Sequence, residues 1–578
     1  MRLRLLHLFL FPSWLAMASA SATDPGTQSA ALASYQRLQL ARMQAKNMSG
    51  KEANEAALQL AIRQLETELI YLDTPAVQEQ AVGYKPLHFR GHDIRVDLAS
   101  LYARLNMREQ ALTTLEQMQH FAWIPAIGQM LSADSSFDTL RDEPRFKLIL
   151  QRSALPKRLW QGPAADVAYK DKLSVEERIA GLSLFWAEAR ANFAYFDQVP
   201  DLDWNKVYLD FLPKVMAAET TRDYYRVLMQ LAPLLRDGHT NILPPKELVG
   251  TFFARPPLTA RLIEDTVVIE AVHSSSLAQR IRPGEEILAI DGIPVHRYAA
   301  QNIAPFVSSS TPQDKAVRMY TYQLFSGDAK TRFKLSLRNG AGIEREEIIA
   351  RTGYTDIVPA DVFAFRTLSD GTVYFSLDHF DSNSSLRAFE RVLPQLMQAK
   401  ALIIDVRNNG GGSTAFANAI LAHLTDKPIP AAQSLIRSDD LYARAMGMHA
   451  VMWQRPVKFE GGTTMPHPIF AGKVALLMGP KTFSAGEDFV LAFNALKRGI
   501  TVGETSGGST GQPLMFALPG GGSGRICIKR DALPDGSQFV GKGISPTVLI
   551  APSLASLREG HDPVLERAIA ELQRPAPP

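Results

Sequence analysis

The sequence predicts a multidomain α/β protein, and three features lead there. Residues from about 27 to 152 carry only helical periodicity, residues 258–339 switch to short strands separated by turn residues, and from residue 354 strand and helix patterns alternate. A chain of 578 residues has room for about three or four domains. The boundaries expected are an N-terminal signal at 1–22, a helical region at 23–153, a linker at 154–173 and a helical lead-in at 174–250. A β domain at 255–345, an α/β core at 354–555 and a C-terminal helix and tail at 556–578 follow.

The N-terminus starts Met-Arg-Leu-Arg, continues with an apolar run from Leu5 to about Met17, and ends in small residues from Ala18 to Ala22. That is the pattern of a secretory signal cut after Ala20 or Ala22, and the run is shorter than the roughly 20 residues that span a bilayer. No other segment is apolar enough to span, so no stable membrane insertion is expected once the signal is removed. Cys527 is the only cysteine, which excludes an intramolecular disulfide and points to a bacterial periplasm or secretion. It lies in a strand-like run, Arg525–Ile528, as a buried filler. A net charge of +3 gives no case for nucleic acid.

In the helical region Leu58, Ile62, Leu65, Leu69 and Leu72 form one apolar stripe. Ile94, Leu98, Leu101 and Leu105 form a second, Asn106 breaks the helix, and Ala111, Leu112, Leu115 and Met118 form a third. The segment from Asp93 to Met118 resembles a tetratricopeptide repeat. A plain helical bundle is the alternative, and a TPR-like region implies docking of a protein partner or packing on the catalytic part. Ser174 and Glu177 have the spacing of a capping box that opens a helix through Leu182, Trp186 and Phe193. Two more amphipathic helices lead to Arg236-Asp237-Gly238-His239-Thr240, with Gly238 expected to stop the helix and His239 on the loop beyond it.

Strand-like runs at 260–263, 267–269 and 286–290 follow, with Asp291-Gly292 as a tight hairpin turn. The stretch VVIEAVHSSSLAQRIRPGEEILAIDGIPV resembles a PDZ domain, a fold that binds an extended peptide by adding it to a sheet edge. Further on, the buried run Ala401–Ile404 ends in Asp405-Val406-Arg407-Asn408-Asn409-Gly410-Gly411-Gly412. Those glycines let backbone amides approach a ligand closely, but the Lys-Ser/Thr pair of a phosphate loop is missing, so no nucleotide is expected. A second buried run, Val474–Met478, is broken by Gly479-Pro480 and gives way to a helical pattern through Phe489, Phe493 and Leu496. Ser484 therefore falls at a strand-to-helix turn, either as a helix cap or as a nucleophile beside the free amides of a helix start. With a base nearby its hydroxyl could attack a carbonyl. No metal site is expected: the histidines are scattered and no metal-ligand spacing occurs. No cofactor is implied either.

Seven motifs then occur in a telling order: LRDGHT (235–240), the PDZ-like segment, VYFSLDHF (373–380), LIIDVRNNGGG (402–412), PKTFSAGE (480–487), VGETSGG (502–508) and GKGISP (541–546). In this order they resemble the C-terminal-processing and tricorn-core serine peptidases over roughly residues 174–552. The resemblance implies a crotonase-like (ClpP/crotonase) α/β core with an inserted PDZ-like β domain, acting on polypeptide substrates. It implies Ser484 as nucleophile, with an oxyanion hole from Gly410 or Gly411 together with the amide of Ala485. Processing-type members use a lysine where this chain has Thr505, so the tricorn-type histidine, matched by His239, is the base implied. Tricorn-type members add a serine before that histidine and a glutamate near the final Gly-Ile-Ser-Pro, where this chain has Gly238 and Val540. The group that orients His239 is therefore open among Asp237, Glu487 and Glu504. The resemblance makes the chain a serine endopeptidase or carboxy-terminal processing peptidase. The other readings are a peptide- or hydrophobic-ligand-binding protein and a scaffold using the PDZ-like and helical domains.

Overall fold

The computed structural model describes residues 25–574 apart from 51, 120–122, 161, 163–165, 360–361 and 457–467. The signal expected at residues 1–22 lies outside the described residues. The chain divides into two compact units, the first built on the helices before residue 162 and the second on the residues after it.

The first unit is a helical array: Pro25–Met48, Glu55–Leu72, Pro75–Gly83, Lys85–Arg104, Arg108–Gln119, Pro125–Ala133 and Pro144–Trp160. Its core takes Leu58, Leu65, Ile94, Leu98, Leu101, Leu112 and Leu115, so the apolar stripes of the sequence face one another. Asn106 adopts φ 58° between two of the helices, a left-handed turn that asparagine tolerates better than most residues. The last helix runs through Pro156 to Trp160, into the linker expected from residue 154. One backbone donor is lost at the proline, while Lys157 and Arg158 complement the negative end of the helix in its last turn.

The second unit is organised on a six-stranded mixed sheet. Its order is Val548–Leu549, Ile500–Gly503, Lys473–Met478, Ala401–Asp405, Thr372–Ser376 and Phe365–Thr367. Neighbouring strands are parallel except for the last pair, which is antiparallel. Both faces are covered. Val373, Phe375, Leu402, Ile404, Val474 and Leu476 point into one core with the helices Thr414–Ala422 and Ala485–Ala495. Tyr374, Ile403, Ala475, Leu477 and Val502 point into another with the C-terminal helix Pro563–Gln573. Burial on both sides is why these strands read as continuous apolar runs.

The lead-in helix Val175–Asn192 carries the expected capping box, Ser174 with Glu177. Its buried face is Gly181, Leu182, Phe185 and Ala189, which leaves Trp186 only partly covered. Between the lead-in and the central sheet lies an antiparallel sheet ordered Leu258–Ile263, Thr266–Val272, Glu286–Ile290, Arg332–Arg338 and Glu344–Ala350, with Ile293–Pro294 paired to its middle strand. Asp291 and Gly292 both have positive φ, 50° and 77°, as the tight hairpin between Ile290 and Ile293 requires. The strand Glu344–Ala350 carries this module past the boundary expected at residue 345. A small antiparallel sheet, Asn241–Leu243 with Gly522–Cys527 and Pro513–Leu518, brings the loop after the lead-in against the end of the core. No helix among the described residues is long and apolar enough to cross a membrane.

Candidate active site

The strand Lys473–Met478 stops at Gly479, and Thr482 ties off the turn. Its hydroxyl donates to the Val406 carbonyl at 2.8 Å and accepts from the Gly479 amide at 3.0 Å. Ser484 follows with φ 55° and ψ −124°, immediately before the helix Ala485–Ala495. A side-chain-bearing residue in such a conformation costs about 1–3 kcal/mol, so the surroundings must hold it. The Ser484 amide donates to the Ser509 carbonyl at 3.1 Å, and the Phe483 amide to the Asn409 carbonyl at 2.9 Å.

His239 arrives from the other side. The short 3-10 helix Ala232–Leu235 is ended by Arg236 at φ 50°, not by Gly238 as expected. Gly238 is needed for closeness instead: a Cβ there would lie 2.9 Å from the Phe483 ring and 3.0 Å from Asp314 Oδ2. Arg525 Nε donates to the His239 carbonyl at 2.8 Å, which fixes the loop to the small sheet. The imidazole then stacks on Phe483, with centroids 4.7 Å apart and planes at 14°. His239 Nε2 lies 3.0 Å from Ser484 Oγ, and Nδ1 lies 2.8 Å from Ser509 Oγ. Residues 245 apart in the chain thus meet within hydrogen-bond distance. Burial first, and then the positive charges of Arg525, Arg318 and Lys529, hold the imidazole well below its ordinary pKa and keep it neutral.

The three carboxylates considered for orienting His239 have other places. Asp237 accepts from the His239 amide at 3.1 Å and from Thr240 Oγ1 at 2.7 Å, so it caps the loop and does not meet the ring. Glu504 pairs with Arg261 of the inserted module at 2.5 Å. Glu487 is fully buried and accepts from Ser506 Oγ at 2.5 Å, the Gly508 amide at 2.8 Å and the Ser509 amide at 2.8 Å. Burial pushes its carboxyl up to about 7 against the pull of those donors. It acts on His239 only by fixing the loop that carries Ser509. The side chain on Nδ1 is Ser509, which the sequence reading missed. Its only signal was a place in a run of small residues, Ser506–Thr510, and nothing in that spacing says that the run folds onto residue 239.

The glycine loop closes on the same turn. A Cβ on Gly411, at φ 100°, would lie 2.6 Å from Ser484 Cβ and 3.0 Å from the Ala485 amide nitrogen. The Gly411 amide is taken by Asn409 Oδ1 at 2.9 Å. The amides of Gly410 and Ala485 have no acceptor among the described residues, and unpaired amides of this kind can donate to a negatively charged oxygen. A cavity of about 420 Å³ opens here, lined by Ser413, Thr414, Ser484, Asp488, Gln512 and Lys529 among others. Thr505, which stands where a dyad lysine would be, packs against Gly543. Cys527 is buried, and burial raises its thiol well above the ordinary range. Among the described residues no group of three or more His, Cys, Asp or Glu side chains could hold a metal ion.

Residues 371–550 match the model of peptidase family S41. Among solved structures, mature CPAF complexed with lactacystin is similar, with a TM-score of 0.54 and 16% identity over 69% of this chain and 98% of that one. Mature CPAF without that compound gives a TM-score of 0.50 at 16% identity over 66% and 94%. The photosystem II D1 C-terminal processing protease gives 0.41 at 19% identity over 66% and 96%. At these identities the likeness to CPAF speaks for the fold.

Proposed function

We propose that this chain, which belongs to peptidase family S41 and is a serine-type peptidase, hydrolyses peptide bonds with Ser484 as nucleophile and His239 as general base. The observation that carries the assignment is the 3.0 Å approach of His239 Nε2 to Ser484 Oγ beside two unused amides. For Nε2 to accept a proton, the ring hydrogen must sit on Nδ1, where Ser509 Oγ serves as its acceptor. As Ser484 Oγ bonds to the scissile carbonyl carbon, its proton passes to Nε2 and the carbonyl electron pair moves onto oxygen. The amides of Gly410 and Ala485 stabilise that charge. The C–N bond then breaks as Nε2 returns the proton to the leaving amine, and water hydrolyses the acyl-enzyme by the same route. A neutral serine, not a carboxylate, orients the base.

The motif order further supports a crotonase-like core and a PDZ-like module at Leu258–Ala350, which would present an extended polypeptide by strand addition. We read the chain as an endopeptidase or carboxy-terminal processing peptidase for periplasmic or secreted polypeptides, on the strength of its N-terminal pattern and single cysteine. The helix pair Lys85–Arg104 and Arg108–Gln119 supports a TPR-like region that docks a protein partner. A fluorophosphonate probe tests the site: the full chain should label at Ser484, and Ser484→Ala and His239→Ala should both fail to label while melting normally. Undiminished turnover in Ser484→Ala would overturn the assignment.

A further inference from the structure

One short segment of the inserted β module reaches both loops of the site. It lies between the strands Ile293–Pro294 and Arg332–Arg338 and runs from Ser310 to Arg318. Ser310 Oγ accepts from the Gly238 amide at 2.9 Å, next to the base. Thr311 Oγ1 donates to the Gly507 carbonyl at 2.8 Å, and Gln313 Nε2 donates to the carbonyls of Ser506 at 3.0 Å and Lys542 at 2.8 Å. The Ser506–Ser509 loop that supplies the partner of His239 is therefore held from this module. Arg318 completes the arrangement. Its Nε donates to the buried Asp314 carboxylate at 2.6 Å, and its guanidinium carbon lies 4.8 Å from the centre of the Phe483 ring on which His239 stacks.

We infer that Arg318 is a positioning residue for the His239 base, acting through Phe483 and Asp314 so that the β module is part of the catalytic apparatus as well as a substrate-presenting domain. The inference rests on the reading of His239 as base. A planar guanidinium packs flat on an aromatic face and so fixes the ring against which the imidazole lies, which a flexible ammonium does poorly. The same cation neutralises Asp314, whose Oδ2 stands beside Gly238. Without it a buried carboxylate would face the base unpaired, and the imidazole would take a proton more readily. The other charged groups around the imidazole are Asp237 on its own loop, Arg525 and Lys529 from the neighbouring strands, and Glu487 behind Ser509. All of them stay in place when Arg318 is changed.

The test uses the full chain with Arg318→Gln and Arg318→Lys, a short fluorogenic peptide that does not need the module for capture, and thermal melting as a control for folding. In Arg318→Gln we expect kcat to fall about tenfold or more with KM little changed, and the acid limb of kcat/KM to move to higher pH. Arg318→Lys keeps the charge, so its limb should return to the wild-type position while kcat stays reduced. Wild-type kcat in both variants overturns the inference, as does a loss of rate in Arg318→Gln with an unmoved acid limb, which would mean a structural role alone. Failure of the underlying reading looks different: His239→Ala would then keep its rate whatever Arg318 does.

Discussion

Ser509→Ala is the sharpest probe of the base. The substitution deletes only the hydroxyl 2.8 Å from His239 Nδ1, because the loop itself is held by backbone groups. The Ser509 amide still donates to Glu487 Oε2 at 2.8 Å and its carbonyl still accepts from the Ser484 amide at 3.1 Å. His239 is 3% exposed, so water cannot simply replace the missing acceptor. A buried donor left without its partner costs about 1–3 kcal/mol. On the proposed reading the ring hydrogen must sit on Nδ1 while Nε2 takes a proton; without its acceptor the resting ring can place that hydrogen on Nε2 instead, so the cost falls on the reactive tautomer and the imidazolium. At 1.36 kcal/mol per decade the loss in kcat/KM comes to about 5- to 160-fold. Steady-state kinetics on a fluorogenic peptide read it directly, with melting to show that the chain is folded. A folded Ser509→Ala enzyme within about twofold of wild type, well short of that loss, would refute the assignment of Ser509 as the group that orients the base.

Other consequences follow from the same geometry. Because the imidazole is held well below its ordinary pKa, it stays neutral to lower pH than a free histidine. The acid limb of kcat/KM should therefore lie below about 6.5; a limb at or above that value would contradict the buried, cation-flanked environment. His239→Ala should lower kcat by about 10²–10⁴-fold, and a normal rate would transfer the role to another residue. Gly411→Ala would place a Cβ 2.6 Å from Ser484 Cβ and 2.9 Å from the Phe483 carbonyl, at a φ of 100°. Probe labelling should be nearly abolished, and normal labelling would show that the glycine loop does not press on the Ser484 turn. Glu487 holds its proton up to about 7 in the fold and only to about 4.3 in the unfolded chain. Between those values the folded state binds the extra proton, so this group's contribution to stability falls as pH rises. Glu487→Gln should remove that part of the pH dependence of melting, and an unchanged slope would count against it. A thiol alkylating agent should neither label native Cys527 nor slow the enzyme, since the side chain is buried. Mass spectrometry of the intact protein decides that.

The elements and their order were legible in local patterns of the sequence. Continuous apolar runs at Ala401–Ile404 and Val474–Met478 had lengths suited to strands buried on both faces, and the shift to helical spacing after Ser484 placed that residue at a turn. Asp291-Gly292 announced its hairpin for the same local reason, the left-handed backbone such a turn needs. Motif order, through the peptidase family it resembles, implied Ser484 and His239 as nucleophile and base. The tertiary structure decided how they are served. Gly238 looked like a helix stop, but Arg236 takes the left-handed turn and the glycine is there to admit Phe483 and Asp314. Asp237, Glu487 and Glu504 were all left open as neighbours of the imidazole by the sequence, and none of them touches the ring; Ser509 does, 270 residues from His239. Helix, strand and turn preferences act over a few residues and leave a local record in the sequence. The partner of a buried ring is set by where three separate loops converge, and that convergence is fixed by packing between distant parts of the chain.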